Sequence, residues 1–275
     1  MKQFILGIGG QKCGTTWLYD YIIADSRFKR GAIKPKELHV WDHKEIPEFF
    51  PRRRRLSQVL NLSRYHLWRM ERSDEYYFDY FARLLETGGT AVDITPSYSG
   101  LSQSTLEKIQ EGFARRGVPV KCVFLMRDPV ARCVSAFGHN KVRARPGEVR
   151  MGVDEAKETG AAFRAFFTSE SCRYRTQYEV TIERAQAAFG AEDFASFLYE
   201  EIFSGGALEP LSAFLGLPCQ AERLGKKSNV ARKSYDMDAD ALRDCARFYE
   251  GTYRSIAALQ PAVLQLWPGM RSLDF

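Results

Sequence analysis

The chain has 275 residues, 45% hydrophobic and 13% aromatic, enough for a substantial core in one large domain or two small ones. Forty Lys and Arg against 34 Asp and Glu give a formal net charge of +6, which favours anionic partners. No run of about 18 apolar residues exists, so no segment is expected to span a membrane. The six cysteines (Cys13, Cys122, Cys133, Cys172, Cys219, Cys245) lack CxxC spacing, and several sit in apolar runs. Free buried thiols in a reducing cytoplasm are the expectation.

The first element is the apolar run Phe4–Ile8, near-continuous as in a strand buried on both faces. It flows directly into a glycine-rich turn, so it reads as a core strand and not as a signal peptide. The stretch Gly9-Gly10-Gln11-Lys12-Cys13-Gly14-Thr15-Thr16 has the shape of an anion-binding loop. Backbone N–H groups can turn inward around an anion. A helix starting near Gly14 adds its positive end. Thr15 and Thr16 offer hydroxyls there, and Lys12 supplies a mobile point charge. The G-x-x-x-x-G-T-T spacing is kept, but the nucleotidase pattern wants G-K-[ST]. Here the lysine precedes Gly14 by two residues, which moves its ammonium to the loop flank, where a bond being broken can meet it. Trp17, Leu18, Tyr21 and Ile22 then share one helix face.

A short strand is expected at Gly31–Ile33. The next stretch, "KPKELHVWDH" at Lys34–His43, brings Glu37, His39 and Asp42 close together. A carboxylate near an anion loop is electrostatically odd unless it has a job, and one job is taking a proton from an attacking hydroxyl or amine; the alternative is a surface loop of mixed charge. His39 and His43 stand four apart, but the HExxH order is absent, so no metal site is expected. "PRRRR" at Pro51–Arg55 reads as a surface excursion. Thr90–Ile94 and Val120–Met126 are further strands, with helices over Leu101–Arg116 and Val130–Val142.

Arg127 stands at the carboxyl end of the third strand, where ligands of open α/β sheets sit. Asp128 suits the helix N-cap and Pro129 the first helical position. Ser135 lies two turns into that helix. Arg127 and Ser135 together could clamp a second anion. The alternatives are a salt bridge from Arg127 to Asp128 or a neighbouring strand, and a back-bond from Ser135 to its own helix. After an excursion at Ala144–Met151 come a long helix over Ser171–Phe189, a strand at Phe194–Tyr199, a helix near Ala207–Leu215 and one amphipathic helix over Asp238–Leu259. Strands alternating with helices predict a parallel sheet, about five strands, in a single α/β domain over residues 1–275.

Three segments together, "GQKCGTTWL", "KELHVWD" and "LMRDPVARCVSAF", resemble the sulfotransferases that use 3′-phosphoadenosine 5′-phosphosulfate (PAPS), nearest to the heparan-sulfate and bacterial branch. "VDITPSY", "YRTQYEVTIERAQAAFG", "FLYEEIF" and "LSAFLGL" extend the likeness over nearly the whole chain. The resemblance implies a P-loop-like sheet and PAPS as co-substrate, released as adenosine 3′,5′-bisphosphate; because side chains carry the positive charge at the site, no divalent metal is expected. It implies that Gln11, Lys12, Cys13, Gly14, Thr15, Thr16 and Trp17 surround the 5′-phosphosulfate, and that Arg127 and Ser135 hold the 3′-phosphate. Glu37 matches the catalytic base, and Lys12, His39 and Asp42 complete the catalytic set. Tyr174 is counted with the cofactor residues, as are Lys226, Lys227 and Asn229 of "RLGKKSNVARK", which departs from familiar versions of the late basic loop. Val40-Trp41 stands where eukaryotic members often carry paired phenylalanines. The acceptor, a small molecule or glycan, is not carried over.

Two other readings compete. A P-loop small-molecule kinase needs a lysine after Gly14 and a magnesium-holding aspartate at a strand end, for which Asp93 is the near candidate. A non-catalytic polyanion binder would use Arg52–Arg55 and Arg143–Arg150, but no RNA-binding or helix-turn-helix signature is present and no nucleic-acid partner is expected. The aromatics Trp41, Phe49, Phe50, Trp68, Tyr76, Tyr77, Phe78 and Tyr80 could line an acceptor pocket, though core is the favoured place for most. Nothing in the sequence sets an oligomeric state.

Overall fold

The computed structural model describes residues 2–46, 61–143, 159–224 and 237–273, with side chains omitted at 140–143. Four strands, β1 (Lys2–Gly9), β2 (Gly89–Ile94), β3 (Val120–Met126) and β4 (Phe194–Leu198), form one parallel sheet in the order β2-β1-β3-β4. Between β1 and β2 lie α1 (Thr15–Ile23), α2 (Trp41–Glu45), α3 (Leu62–Arg72) and α4 (Asp74–Leu84), and between β2 and β3 lies α5 (Gln103–Ala114). The β3–β4 crossover carries α6 (Pro129–Arg143), α7 (Thr159–Thr168), α8 (Glu170–Tyr174) and α9 (Tyr178–Asp193). After β4 come α10 (Tyr199–Ser204), α11 (Leu208–Phe214), α12 (Ala239–Phe248), α13 (Glu250–Leu259) and α14 (Val263–Leu266).

The period of two along β1 divides the core into two layers. Phe4, Leu6 and Ile8 face one, where Phe4 stacks on Phe113 of α5 at 4.3 Å between centroids. Ile5 faces the other, with Leu18 and Ile22 of α1, Ile202 of α10 and Leu211 of α11. Along β3, Cys122, Phe124 and Met126 join the first layer, and Val123 and Leu125 the second. Both faces of the central strands are therefore dry, which is why β1 and β3 read as near-continuous apolar runs. All six cysteines are free, and only Cys219 is exposed. Among the described residues no helix is long and apolar enough to cross a membrane.

Several expectations need correction. The sheet has four strands among the described residues, not about five. Gly31–Ile33 is not a strand, because its polar groups meet side chains: the Ile33 N–H donates to the Tyr80 hydroxyl at 3.3 Å. The nearest ladder contact is a lone bridge between Phe28 and Thr90. The Ser171–Phe189 pattern is broken into α8 and α9, and at the break the Thr176 hydroxyl donates back to the Cys172 carbonyl at 2.7 Å. The Asp238–Leu259 pattern is likewise two helices, parted at Tyr249 (φ −99°, ψ 18°), whose buried hydroxyl donates to the Phe167 carbonyl.

Candidate active site

The carboxyl ends of all four strands meet at the Gly9–Gly14 loop. The Gly10 N–H donates to the Leu125 carbonyl at 2.6 Å, which fastens the loop to β3. Two glycines are required by geometry. Gly9 (φ 146°) lies where a Cβ would stand 3.0 Å from the Pro96 carbonyl and 3.1 Å from the Phe124 ring. Gly14 (φ 92°) caps α1 without a side-chain hydrogen bond, and a Cβ there would press the Tyr199 ring at 3.2 Å. The first-turn amides of α1 are thus not capped by a side chain at Gly14, and with the helix's positive end they favour an anion. Thr15 and Thr16 open the helix, and both hydroxyls accept from the Lys36 ammonium, at 3.4 and 3.3 Å.

Within the loop, Lys12 adopts a left-handed conformation (φ 68°), and its Nζ lies 3.4 Å from Nδ1 of His139 on α6. Gln11 accepts at 2.7 Å from Arg132, whose fully buried guanidinium also donates to Thr176 at 3.0 Å. Cys13 is buried, and burial pushes its thiol up to about 12, so it is a neutral packing residue. Trp17 packs inward: its ring stacks on Tyr21 at 5.0 Å and its indole N–H donates to the Arg223 carbonyl at 3.1 Å.

At the end of β3, Asp128 caps α6 by accepting from the Ala131 N–H at 2.8 Å, with Pro129 first in the helix. Its other oxygen accepts from the Gly269 N–H at 2.8 Å, so Asp128 is not the partner of Arg127. Among the described residues Arg127 makes no ion pair; its guanidinium lies 4.8 Å over the Tyr199 ring. That ring also bounds Gly14, which joins the two strand ends. Ser135 is half-buried on α6, one turn before His139. Lys226, Lys227 and Asn229 lie outside the described residues, as do Arg52–Arg55, Phe49 and Phe50.

Facing the loop is a chain of ion pairs. His39 Nε2 lies 3.3 Å from Glu37 Oε2, and His39 Nδ1 lies 2.6 Å from Asp42 Oδ2. The Ser97 hydroxyl donates to the same Asp42 oxygen, and the Tyr174 hydroxyl donates to the Ser97 carbonyl at 3.0 Å. Burial works against charge on His39, but the two carboxylates outweigh it and hold the imidazole up to about 9, hence protonated at neutral pH. Burial also opposes ionisation of Glu37, and the His39 hydrogen bond with the charges of Lys36 and His39 overcomes it, drawing the carboxyl down to about 2.

Partners from β2's end hold this segment. The Leu38 N–H donates to Thr95 at 3.0 Å, and the Val40 and Trp41 N–H groups donate to the Tyr98 hydroxyl at 3.1 and 3.4 Å. Asp93 anchors both: it accepts from Thr95 at 2.7 Å and from the Tyr77 and Tyr98 hydroxyls at 3.0 Å each. On the far side, His43 stacks on His39 and pairs with Glu71 of α3 at 2.8 Å.

His39, Asp42 and His43 place one ligand atom each within 4.8 Å of the others, a spacing that could hold a metal ion. Asp42 is already engaged, however, with His39 and Ser97 on Oδ2 and the His43 N–H on Oδ1. The same residues are linked by hydrogen bonds into a relay. Of the candidate aromatics, Trp41, Tyr77 and Phe78 are core, while Trp68, Tyr76 and Tyr80 are half-buried.

The structure therefore brings Gln11–Thr16, Glu37, His39 and Asp42 to the carboxyl end of the sheet, with Arg127 just past the end of β3 and linked to the loop through Tyr199, and Ser135 on α6 one turn before His139. It adds Lys36, Ser97, Arg132, His139 and Tyr199, which the sequence patterns do not single out. His139 carries a signal, since it stands one helical turn beyond Ser135 in "SAFGHN". Lys36 carries a weaker one, as the cation next to the candidate base.

No protein-family model matches the sequence, and no curated protein does. Among solved structures, the chain is similar to a sulfotransferase from Alicyclobacillus acidocaldarius, with TM-score 0.60, 20% identity, and coverage of 94% of this chain and 96% of that one. It also matches the sulfotransferase domain from the curacin biosynthetic pathway, with TM-score 0.49, 18% identity and coverage of 94% and 98%. A third match is retinol dehydratase in complex with androsterone and inactive cofactor PAP, with TM-score 0.40, 16% identity and coverage of 94% and 80%. The first of these shows that the parallel sheet and its flanking helices adopt a sulfotransferase fold.

Proposed function

We propose that the protein transfers a sulfuryl group from PAPS to a hydroxyl or amine of a carbohydrate, lipid or small-metabolite acceptor. The observation that carries this reading is the Lys36 ammonium, which touches both Thr15 and Thr16 at the head of α1 and Glu37 at 3.1 Å. An anion site and a carboxylate base are thereby placed one side chain apart.

PAPS supplies an activated sulfuryl group on a phosphate leaving group. The residues present fit it. The glycine loop and the head of α1 would hold the 5′-phosphosulfate. Arg127, its guanidinium over Tyr199 and not tied to a carboxylate among the described residues, and Ser135 would hold the 3′-phosphate. Two fixed ends define the line of attack, and orientation of this kind contributes several kcal/mol. Glu37 takes the acceptor's proton as the acceptor oxygen or nitrogen bonds to sulfur and the bond from sulfur to the phosphate oxygen breaks. Lys12 neutralises charge growing on the departing oxygen, for which a positioned cation contributes ~3–4 kcal/mol. His39 and Asp42 orient Glu37.

The kinase alternative loses its aspartate: Asp93 is fully buried and both its oxygens are engaged by three hydroxyl donors. The polyanion alternative rests on Arg52–Arg55, outside the described residues, and on Arg143–Arg150, of which only the backbone of Arg143 at the end of α6 is described. Titration in EDTA tests all three. The transferase binds adenosine 3′,5′-bisphosphate without Mg²⁺, a kinase prefers Mg·ATP, and a polyanion binder distinguishes neither. An acceptor panel with sulfur-labelled PAPS and mass detection of products then identifies the acceptor. Loss of all transfer on adding EDTA would overturn the metal-free mechanism.

A further inference from the structure

Lys36 is held by both halves of the site at once. Its side chain is only 16% exposed, and its three ammonium hydrogens have three acceptors: Thr15 Oγ1 at 3.4 Å, Thr16 Oγ1 at 3.3 Å and Glu37 Oε1 at 3.1 Å. The hydroxyl contacts are long, and the carboxylate contact is the shortest of the three. Glu37 is in turn gripped on both oxygens, by Lys36 on Oε1 and by His39 on Oε2 at 3.3 Å. A carboxylate with a cation on each oxygen is a poor proton acceptor, since proton affinity falls when opposite charge is near. The site in this state holds an anion loop with a cation at its mouth and a base disabled by that same cation.

An anion at the head of α1 changes the competition. It meets the two threonine hydroxyls and the ammonium together, and a doubly charged phosphate outbids a half-exposed carboxylate for the nearest cation. Resting on the transferase reading above, we propose that Lys36 is a positioning residue that couples the two subsites: anion in the loop draws the ammonium away from Glu37 and frees Oε1 to accept the acceptor's proton. The base is then armed only when the sulfuryl donor is bound. The donor must bind before the acceptor can be deprotonated, so acceptor alone meets a neutralised carboxylate. Lys12 has a different setting, with its ammonium beside His139 on α6.

Coupling of this kind is reciprocal. If the anion and Glu37 compete for one cation, removing the charge of Glu37 must tighten the anion, and the gain must depend on Lys36. The test is calorimetric titration of adenosine 3′,5′-bisphosphate into wild type, Glu37→Gln, Lys36→Met and the double variant. Glu37→Gln is expected to tighten binding about fivefold or more, within the usual range of coupling between sites, and in the Lys36→Met background the same change is expected to shift affinity by less than about twofold. Lys36→Met alone weakens binding, and Lys36→Arg restores much of it. A gain from Glu37→Gln that persists undiminished without Lys36 would show simple repulsion between carboxylate and anion and overturn the inference. So would Lys36→Met binding the bisphosphate as tightly as wild type. If wild type does not bind the bisphosphate at all, the transferase reading itself fails and takes this inference with it, an outcome distinct from binding without coupling.

Discussion

The anion loop and the carboxylate relay face each other across the same end of the sheet, and they are built by opposite means. The loop is a contiguous stretch, Gly9–Thr16, whose shape comes from glycine dihedrals and a helix start. The relay is also short in sequence, but its geometry is imposed from elsewhere. Leu38 is held by Thr95, 57 positions away, Asp42 by Ser97, 55 positions away, and His43 by Glu71 of α3, 28 positions away. The loop places positive charge where an anion will come. The relay keeps three ionised groups, Glu37, His39 and Asp42, in a partly buried line where they satisfy one another. One half is a local motif, and the other exists only in the folded chain.

The sharpest way to break this pairing is to silence one half and watch the other. Glu37→Gln is expected to lower turnover by about 10²–10⁴-fold, the usual range for a positioned general base. Binding of the bisphosphate is not lost in that variant and tightens, by the coupling through Lys36. Retained turnover would remove Glu37 as base. Arg127→Ala attacks the other half. Loss of a hydrogen bond to a charged group costs about 1.5–3 kcal/mol, so bisphosphate affinity is expected to fall roughly 10- to 100-fold, while adenosine 5′-monophosphate is little affected. Equal weakening of both ligands would show that Arg127 does not read the 3′-phosphate.

The same contrast explains how far each half is legible in the sequence. The loop, the N-cap at Asp128 and strands β1 to β4 are all readable, because glycine spacing, capping chemistry and buried apolar runs are local signals. Glu37, His39 and Asp42 can be picked out as a charged cluster, but their order as a relay cannot, since it depends on Ser97 and Tyr98 at β2's end. Arg132 is a clearer case. In sequence it is one more arginine in "RDPVARC"; in the fold it is fully buried and reaches Gln11 in the loop at 2.7 Å. The misplaced strand at Gly31–Ile33 and the two merged helices fail for a related reason. Tyr80, Thr176 and Tyr249 end or replace regular structure with hydrogen bonds that periodicity does not record.

The relay should also respond to pH in a way the loop does not. His39 is held up to about 9, above its ordinary 6.5, so its ion pairs stabilise the fold fully below pH 6.5, and that contribution is lost as pH rises through about 9. Turnover at low substrate is therefore expected to fall, and unfolding to become easier, between about pH 8 and 10. His39→Gln should remove that alkaline limb and leave bisphosphate affinity nearly unchanged. A limb that survives the substitution belongs to another group, and the relay then does not set the alkaline side of the profile.

The smallest effect tests whether distant partners hold the relay. The Tyr98 hydroxyl accepts from the Val40 and Trp41 N–H groups and donates to Asp93, all buried. Tyr98→Phe leaves those backbone donors and one carboxylate lone pair without that partner, at a cost of about 1–3 kcal/mol. In a chain of this size that lowers the melting temperature by roughly 2–4 °C per kcal/mol. Because Tyr98 orders the backbone between Leu38 and Trp41, turnover should fall by a modest factor, about tenfold or less, on the scale of a slightly misplaced base. The loop is shaped by its own glycines and fastened by Leu125 and Arg132, none of which Tyr98 touches, so bisphosphate affinity should change only as far as Lys36 passes the shift on, by about twofold or less. Affinity falling as steeply as turnover would mean that the two halves are joined by more than Lys36 and form one cooperative unit.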